Sequence, residues 1–442
     1  MQWKTSRYTY VYAAGERRIA FNSLSLDVYE ITARDEELLD RFRAPVSVRD
    51  APVGELKELM EGQLIVPAEA DAPGKAVARL NGLRTAQYRK GGGRYRSIRL
   101  ALTERCNMAC SYCFQQQMYP DLQPRMSEEV LEQTLDWFTG QAGGSSVSVQ
   151  YFGGEPLLEW DRLQQGDASL QQARAEGRVS AYQQIMTTNG TLMTQSRAEW
   201  LVSHRFQLAF SFDGPPDIND RLRTYKNGRG TYENAARGLR RWIEAGGTSS
   251  LLMTASSTNL HQLPEIVRWF VEESDLNPEV IGLNSPQPTS EGWETGGAEL
   301  AAVVFDIWNY LDSKGISFHG PGTFIPGTIR SGVPNPDNCV TGEVDDPDGE
   351  AWPIYVSADG RRSMCLVHHQ DKRVEISTGT DAQKAGLQWH KSQGGVADCD
   401  SCPASQLCGG PCTVERILWG GRLNEDRCGF MQEMTRLVLT PA

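Results

Sequence analysis

Between residue 97 and about residue 320, strand-like apolar segments alternate with helical segments, and this alternation restricts the fold more than any other feature of the chain. The candidate strands are residues 98–102, 147–152, 182–187, 206–212, 251–255 and 280–283. Strands and helices that alternate in this way predict a parallel α/β sheet or a partial (β/α)6 barrel of the TIM type. In such folds, functional side chains collect at the carboxyl ends of the strands.

Helical patterns fill the intervals between these strands. Ser127 is predicted as an N-cap because Glu128 and Glu129 follow it in the first turn, where negative charge is favourable. Residues 231–245 and 265–273 have the spacing of further amphipathic helices.

The composition is that of a folded globular protein, with 39% hydrophobic and 23% charged residues in 442. The formal net charge of −12 disfavours a nucleic-acid backbone as partner. No apolar run approaches the ~20 residues that span a bilayer, and the first residues lack the apolar region of a signal peptide. We expect a cytoplasmic protein that does not bind membranes, in which the ten cysteines bind metal rather than form disulfides.

Three cysteines stand together directly after the first candidate strand. Cys106, Cys110 and Cys113 form a C-x3-C-x2-C motif. Three thiolates in one loop can bind three irons of a 4Fe–4S cluster, which leaves the fourth iron open to a small chelating molecule. A zinc site is the alternative, but structural zinc takes four ligands and no histidine stands nearby.

This motif resembles the signature of the radical S-adenosylmethionine (SAM) superfamily, and segments after the next strands resemble that family too. They are Phe152-Gly153-Gly154-Glu155-Pro156, Asn189-Gly190, Ser211-Phe212-Asp213-Gly214, Asp220-x-x-Arg223 and Gly228-x-Gly230. The resemblance implies SAM contacts from Tyr112 near the adenine, from Gly153, Gly154, Glu155 and Pro156 near the amino group, from Ser211 and Arg223 at the ribose or carboxylate, and from Asn189.

The resemblance also implies the chemistry. SAM would chelate the open iron, and the reduced cluster would cleave it to a 5′-deoxyadenosyl radical that removes a hydrogen from the substrate. The electron would come from a donor such as flavodoxin or ferredoxin. Taken singly, each motif has another reading: Gly153-Gly154 and Asn189-Gly190 as turns, Glu155 as a solvated carboxylate, and Asp220 with Arg223 as a surface ion pair.

The strand–helix alternation stops after about residue 320, and seven cysteines follow. Their order resembles the SPASM domain, which binds two auxiliary 4Fe–4S clusters. The resemblance implies Cys339, Cys365 and Cys412 for auxiliary cluster I, and Cys399, Cys402, Cys408 and Cys428 for auxiliary cluster II. An eighth cysteine is missing, so auxiliary cluster I would have an open iron or a ligand other than cysteine. An extended gap after Cys339, which includes Asp345, Asp346 and Asp348, departs from the family. Two zinc knuckles are the alternative.

Residues 1–94 contain no cysteine and form a separate α+β pattern. Strand-like segments at 8–13, 18–26 and 63–67 flank helical segments near 37–42 and 53–62. This order resembles the winged-helix leader-recognition element of ribosomal-peptide maturases, which binds a leader peptide as an added strand. The alternative is a structural extension packed on the barrel.

We therefore expect a leader-binding module at 1–94, a radical SAM partial barrel at 95–320 and a SPASM domain at 321–442. SPASM-containing relatives mostly act on peptides, which favours SAM-dependent formation of a carbon–carbon or thioether cross-link in a precursor peptide. Formylglycine formation, as in anaerobic sulfatase maturases, is the second hypothesis. Those enzymes carry an aspartate that acts as a base beside the cysteine equivalent to Cys365. Here Cys365 is followed by Leu366, Val367, His368 and His369, and the missing aspartate argues against that activity. His368 or His369 is the alternative base, although both are expected at the surface. A non-catalytic iron–sulfur electron carrier is the third, although a carrier has no use for SAM motifs.

Overall fold

A computed structural model describes residues 2–47, 53–90, 96–122, 124–284, 295–335, 353–363, 365–372, 375, 397–410 and 423–441. Within these ranges no helix is long and apolar enough to cross a membrane.

The N-terminal part contains two antiparallel three-stranded sheets packed against helices. Its elements are β1 (Gln2–Thr5), β2 (Thr9–Ala14), β3 (Arg17–Asn22), β4 (Val28–Ile31), α1 (Ala33–Arg41), β5 (Val46–Ser47), α2 (Val53–Glu61), β6 (Ile65–Pro67) and α3 (Lys75–Lys90), with a 3-10 turn at Ala68–Ala70. The sheets have the orders β2-β3-β4 and β5-β1-β6. Thr32 and Asp35 form a capping box that fixes the start of α1. The winged-helix assignment itself remains a prediction.

The central sheet contains nine strands, and seven of them follow one another in parallel. They are β7 (Ser97–Thr103), β8 (Val147–Gly153), β9 (Tyr182–Thr188), β10 (Phe206–Ser211), β11 (Ser250–Thr254), β12 (Val280–Asn284) and β13 (Ser317–His319). The hairpin β14 (Pro353–Val356) and β15 (Arg362–Ser363) extends the sheet, since β14 pairs in parallel with β7. The six predicted strands are confirmed, and the parallel sheet is consistent with a partial TIM barrel.

Helices connect these strands and cover the sheet. They are α4 (Phe114–Met118), α5 (Glu128–Gln141), α6 (Trp160–Ala175), α7 (Gln195–Ser203), α8 (Pro216–Leu222), α9 (Tyr232–Glu244), α10 (Leu263–Glu272), α11 (Gly297–Ser313) and α12 (Ile325–Ser331), with 3-10 turns at Pro156–Glu159 and Leu260–Gln262. The predicted cap is confirmed, because the Ser127 hydroxyl accepts a hydrogen bond from the Val130 amide at 3.2 Å.

The described C-terminal helices are α13 (Ala397–Asp400), α14 (Ser405–Cys408) and α15 (Glu425–Leu439). Helix α15 packs on α11 at a close crossing: a Cβ on Gly297 would lie 1.7 Å from the Asp426 carbonyl oxygen, so only glycine fits there. Phe21 of β3 and Met434 of α15 belong to the same buried apolar cluster as the central strands. The C-terminal helices therefore share the core of the sheet, and β3 packs against that core. The helices of the N-terminal part surround a separate apolar cluster that includes Leu38, Leu56 and Leu64.

Candidate active site

The three cysteines of the first motif lie in a loop between β7 and α4 that a neighbouring segment supports. The Ala109 amide donates to the Thr224 carbonyl at 2.7 Å, and the Ser111 amide donates to the Leu222 carbonyl at 3.0 Å. Cys106, Cys110 and Cys113 are free, half-buried thiols. Residues 104–113 are called the cysteine loop below.

Electrostatics show that these thiols are neighbours. Burial, followed by the Glu155 carboxylate, raises the pKa of Cys106 to about 12, and the other two thiols contribute in the same direction. Burial raises the pKa of Cys110 to about 11, partly offset by the Arg223 guanidinium. Without a bound cation Cys106 and Cys110 stay protonated, so positive charge is needed for the loop to hold these two side chains as thiolates.

Gly153 and Gly154 bring the end of β8 into contact with the cysteine loop. A Cβ on Gly154 would lie 2.0 Å from the Arg105 carbonyl oxygen, and one on Gly153 would lie 2.2 Å from the Thr103 carbonyl oxygen. The Gly154 amide donates to Thr103 and the Glu155 amide to Arg105. The glycine pair is therefore required by backbone packing against this loop, and is more than a generic turn.

Glu155 is buried, so its reading as a solvated surface carboxylate is wrong. Its carboxylate accepts hydrogen bonds from the Leu157 amide at 3.0 Å, the Thr188 hydroxyl at 2.7 Å and the Asn189 amide at 2.8 Å. Burial raises the pKa of Glu155. Glu155 thus fixes the end of β9 relative to β8, and Pro156 begins the 3-10 turn that follows.

Asn189 connects the end of β9 to the cysteine loop. Its side-chain amide donates to Asn107 Oδ1 at 2.9 Å and lies 3.8 Å from Cys106 Sγ. Asn107 in turn donates to the Thr191 hydroxyl at 2.9 Å. Gly190 does adopt a positive φ of 72°, so Asn189-Gly190 is both a turn and a contact of the loop.

Arg223 and Tyr112 meet at one buried carboxylate, that of Asp213. Arg223 Nε lies 2.7 Å from Asp213 Oδ2, and the Tyr112 hydroxyl donates to the same oxygen at 2.5 Å. The Thr254 amide donates to the other oxygen at 3.0 Å. Ser211, two residues before Asp213, lies half-buried at the end of β10.

The reading of Asp220 and Arg223 as a surface ion pair is wrong, because Arg223 is buried and pairs with Asp213. Asp220 instead accepts hydrogen bonds from the Thr231 and Tyr232 amides, both at 2.7 Å, at the start of α9. Sequence spacing suggested Asp220 as the partner of Arg223, whereas the observed partner is Asp213, after the end of β10.

A second polar cluster, around Glu104 of the cysteine loop, escaped the sequence analysis. Glu104 Oε1 accepts from the Tyr355 hydroxyl at 3.1 Å and lies 3.8 Å from His369 Nε2, while Gln115 donates to the other oxygen. Burial raises the pKa of Glu104 to about 7. The contact joins the cysteine loop to the segment after Cys365. The one sequence signal for a role of Glu104 is its position between the end of β7 and the cysteine motif.

His369 is fully buried, which contradicts its expected place at the surface. Its Nδ1 lies 3.0 Å from the Leu366 carbonyl oxygen, and its ring lies between those of Tyr119 and Tyr355, with centroids 4.8 and 5.0 Å away. Burial lowers the pKa of His369. His368, its neighbour, is only partly buried.

The described cysteines of the C-terminal part fall into two places. Burial and then the Cys402 thiol raise the pKa of Cys408 to about 12, with a smaller effect from Cys428, which places these three near one another. Cys399 lies three residues before Cys402 and its carbonyl accepts from the Cys402 amide. Cys365 is buried elsewhere, in an apolar cluster with Ala101 and Tyr355. Cys339 and Cys412 lie outside the described residues.

The donor chemistry of the cysteine loop fits an iron–sulfur cluster. Three free thiols share a loop beside a buried guanidinium and the Asn189 amide, and such groups offset the negative charge of cluster thiolates. Across the described ranges, no three Cys, His, Asp or Glu side chains converge as ligands of a single ion. A cluster distributes its thiolates over different irons.

Comparison with known proteins identifies the class. The Radical SAM superfamily profile matches residues 100–270. The serine-type anaerobic sulfatase-maturating enzyme of Klebsiella aerogenes is 30% identical over 356 residues, which cover 76% of this chain and 83% of that enzyme. The chain therefore belongs to the radical SAM superfamily, which implies binding of SAM and of a 4Fe–4S cluster.

Two solved structures share the fold. Native anSMEcpe with bound AdoMet has a TM-score of 0.63 at 18% identity, over 77% of this chain and 96% of that one. Streptococcus suis SuiB bound to its precursor peptide SuiA has a TM-score of 0.52 at 16% identity, over 95% of this chain and 97% of that one. Both similarities include chain beyond the matched superfamily region.

Proposed function

We propose that this chain oxidises a ribosomally synthesised precursor peptide and installs an intrapeptide cross-link, carbon–carbon or thioether. The observation that carries the proposal is the N-terminal α+β part, which packs on the central sheet through β3 and belongs to a chain of which 95% resembles peptide-bound SuiB. A radical SAM barrel acting on a small molecule has no need of such a part.

The residues of the candidate active site suggest which side chains would hold the cluster and SAM. Cys106, Cys110 and Cys113 would hold the radical SAM cluster. The residues that would bind SAM lie at three strand ends and in two loops. They are Gly153, Gly154, Glu155 and Pro156 after β8, Asn189 after β9, Ser211 at the end of β10, and the loop residues Tyr112 and Arg223. When bound, the cluster and SAM supply a 5′-deoxyadenosyl radical that takes a hydrogen from the substrate.

The protein's own groups prepare this site. Asp213 holds the Arg223 guanidinium in a buried position where it favours the thiolate of Cys110. Glu155 fixes Asn189, and Asn189 contacts the cysteine loop. These hydrogen bonds restrict the strand ends before any ligand binds, which lowers the reorganisation required for catalysis.

Two auxiliary 4Fe–4S clusters complete the proposal. Cys399, Cys402, Cys408 and Cys428 would hold one, and the proximity of Cys402, Cys408 and Cys428 supports this set. Cys365 would hold the other with Cys339 and Cys412. Held by these cysteines, the clusters would supply an acceptor for the second electron of a net two-electron oxidation. One hydrogen of the peptide would leave as an atom to the deoxyadenosyl radical, and the other would leave as a proton and that electron.

The N-terminal part would bind the leader of the peptide as an added strand. In the described chain, β4 pairs only with β3 and forms an edge of its sheet. Residues along β4 alternate between exposed and half-buried, and Val28 is 40% exposed. An edge of this kind offers backbone groups to an extended peptide.

Formylglycine formation on a sulfatase is the second candidate, and the 30% identity with the Klebsiella maturase over most of that enzyme favours it. The residues after Cys365 help to distinguish formylglycine formation from cross-linking. The resemblance places a catalytic aspartate there in maturases, whereas this chain has Leu366 followed by Val367, and the nearby His369 is buried in a ring contact.

Mass spectrometry of two peptides separates the candidates. The reduced, SAM-supplied enzyme is incubated with a precursor encoded beside its gene and with a peptide carrying the serine or cysteine of a sulfatase. A cross-link removes two hydrogens and suppresses backbone fragments between the joined residues, whereas formylglycine gives an aldehyde that reacts with a hydrazide. An aldehyde on the sulfatase peptide, with an unchanged precursor, would overturn the cross-linking proposal.

A further inference from the structure

We propose that residues 221–229, which are the end of α8 and the tight turn that follows it beside the cysteine loop, form the docking surface for an acidic one-electron carrier protein. These residues are called the hairpin below. This inference rests on the proposed function, because it supplies the electron that the cluster needs. The carrier would lose one electron and the cluster would gain it, with no bond made or broken.

The hairpin is joined directly to the cysteine loop. Besides the Ala109–Thr224 and Ser111–Leu222 hydrogen bonds, Met108 and Tyr225 form an antiparallel bridge. The turn closes through the Tyr225 amide, which donates to the Arg229 carbonyl at 2.8 Å. A protein seated on this hairpin would therefore contact the segment that is bonded directly to the cysteine loop, and electron transfer requires such proximity.

The hairpin is strongly basic in an acidic protein. Residues 221–229 contain four cations and no carboxylate, while the whole chain has a net charge of −12. Arg223 is buried against Asp213, but Arg221, Lys226 and Arg229 are exposed. Within the described residues, no carboxylate lies at ion-pair distance from these three side chains, whereas many other surface cations of the chain are paired.

Arg105 adds a further exposed cation on the cysteine loop. It precedes Cys106, its side chain is exposed, and its backbone carbonyl contacts the end of β8. Four exposed cations, which no carboxylate of the described residues neutralises, thus stand on the cysteine loop and on the segment bonded to it. Exposed charges of one sign around a site attract partners of opposite sign and raise association rates by about 10- to 1,000-fold.

The positive charge of the hairpin and its position beside the cysteine loop together indicate which kind of protein binds there. A basic surface fits an acidic partner, and direct backbone contact with the cluster-binding loop fits a partner whose purpose is to reach that loop. The leader peptide is assigned to the N-terminal sheet edge, and a nucleic acid has no use for the cluster. A small, acidic, low-potential redox protein satisfies both requirements.

The test uses a flavodoxin reduced to its hydroquinone as the probe. The double variant Lys226→Glu with Arg229→Glu is compared with wild type and with Arg174→Glu. Arg174 is an exposed cation in the last turn of α6, which returns to the amino end of β9, opposite to the cysteine loop. Three quantities are measured: affinity for oxidised flavodoxin, the rate of hydroquinone oxidation, and 5′-deoxyadenosine formation with dithionite.

We expect the double variant to lose at least about tenfold in affinity and in the rate of hydroquinone oxidation, with the dithionite reaction and cluster content unchanged. The difference should shrink at about 1 M salt, where the Debye length is about 3 Å. Arg174→Glu should behave as wild type.

Equal affinity and equal rates in the double variant and wild type would overturn the docking surface while leaving the proposed function intact. A wild-type protein that forms no 5′-deoxyadenosine even with dithionite would instead refute the proposed function. An equal loss in Arg174→Glu would also overturn the inference, because it would show that general charge and no specific surface controls the rate.

Discussion

At the scale of single residues, Asp213 connects more parts of the site than any other side chain described above. This carboxylate is fully buried and receives hydrogen bonds from Arg223, Tyr112 and the Thr254 backbone. It therefore joins the end of β10 to the cysteine loop and to β11. A buried charge of this kind is tolerated only while its partners are present.

Replacing Asp213 by Asn should be strongly destabilising, because it leaves the Arg223 cation buried without its counter-charge. We expect a loss of about 3–5 kcal/mol in the free energy of unfolding. The matched control is Asp275→Asn, which removes the exposed partner of Arg240 at 2.9 Å and should cost less than about 1 kcal/mol. Urea unfolding of both variants measures the contrast, and similar losses would contradict the role given to Asp213.

Glu104 makes stability depend on pH. Its folded pKa of about 7 lies above the ordinary value of 4.5, so the folded state binds the proton more tightly than the unfolded chain. Its contribution is therefore most favourable below pH 4.5 and is lost as pH rises toward 7 and above, by up to about 3 kcal/mol. Glu104→Gln should flatten the decline in unfolding free energy between pH 5 and pH 8. A variant with the same pH slope as wild type would disprove this.

The site was predictable from sequence as far as its motifs extend. Cys106, Cys110, Cys113 and the strand-end residues belong to short motifs that follow successive strands. Their order along the chain therefore indicated that they meet at the same end of the sheet. Asp213 stood in a quoted motif but received no role, and the local spacing paired Arg223 with Asp220 instead. Contacts between segments that are distant in sequence, such as Glu104 with His369, leave no periodic signal.

At the scale of elements, the glycines at the end of β8 control how closely the sheet approaches the cysteine loop. Gly154→Ala would place a methyl group 2.0 Å from the Arg105 carbonyl oxygen, so the loop must move. We expect a protein that folds but retains less than half of the wild-type iron after anaerobic reconstitution.

The control is Gly140→Ala in α5, where a Cβ meets nothing within 4 Å. This substitution should preserve the iron content and raise stability by about 0.5–1 kcal/mol, because alanine favours a helix more than glycine does. Full iron content in Gly154→Ala would show that the loop tolerates the displacement and that the glycine is not needed for cluster binding.

The elements that sequence analysis missed are short. β4 and β13 contain four and three residues, too few for an alternating pattern to stand out. β14 lies beyond the point where strand–helix alternation ends, yet it pairs with β7 and extends the central sheet. Its place is decided by tertiary packing, which a local pattern does not contain.

At the scale of the whole molecule, the N-terminal part is anchored next to the C-terminal cysteines. Asp400, between Cys399 and Cys402, accepts hydrogen bonds from the Gly74 and Ala76 amides at 2.7 and 3.1 Å, and from the Tyr8 hydroxyl at 3.2 Å. The proposed leader-binding part thus contacts the segment that carries proposed ligands of auxiliary cluster II. The division of the chain into three domains remains a prediction.

Cysteine variants should separate the two stages of the reaction. Cys110→Ala removes a proposed ligand of the SAM-binding cluster and should abolish 5′-deoxyadenosine formation. Cys402→Ala removes a proposed ligand of auxiliary cluster II, and should spare SAM cleavage while stopping formation of the peptide product. Full product from Cys402→Ala, quantified by mass spectrometry, would refute the role of that cluster.

The central claim is that one chain combines radical SAM chemistry with two auxiliary clusters. The most direct measurement is the iron and sulfide content of the anaerobically reconstituted protein, together with 5′-deoxyadenosine formed from SAM after dithionite reduction. The account predicts about twelve irons per chain, the sum of three four-iron clusters, with the nucleoside formed. About four irons with the nucleoside would eliminate the auxiliary clusters, and zinc in place of iron without the nucleoside would contradict the account as a whole.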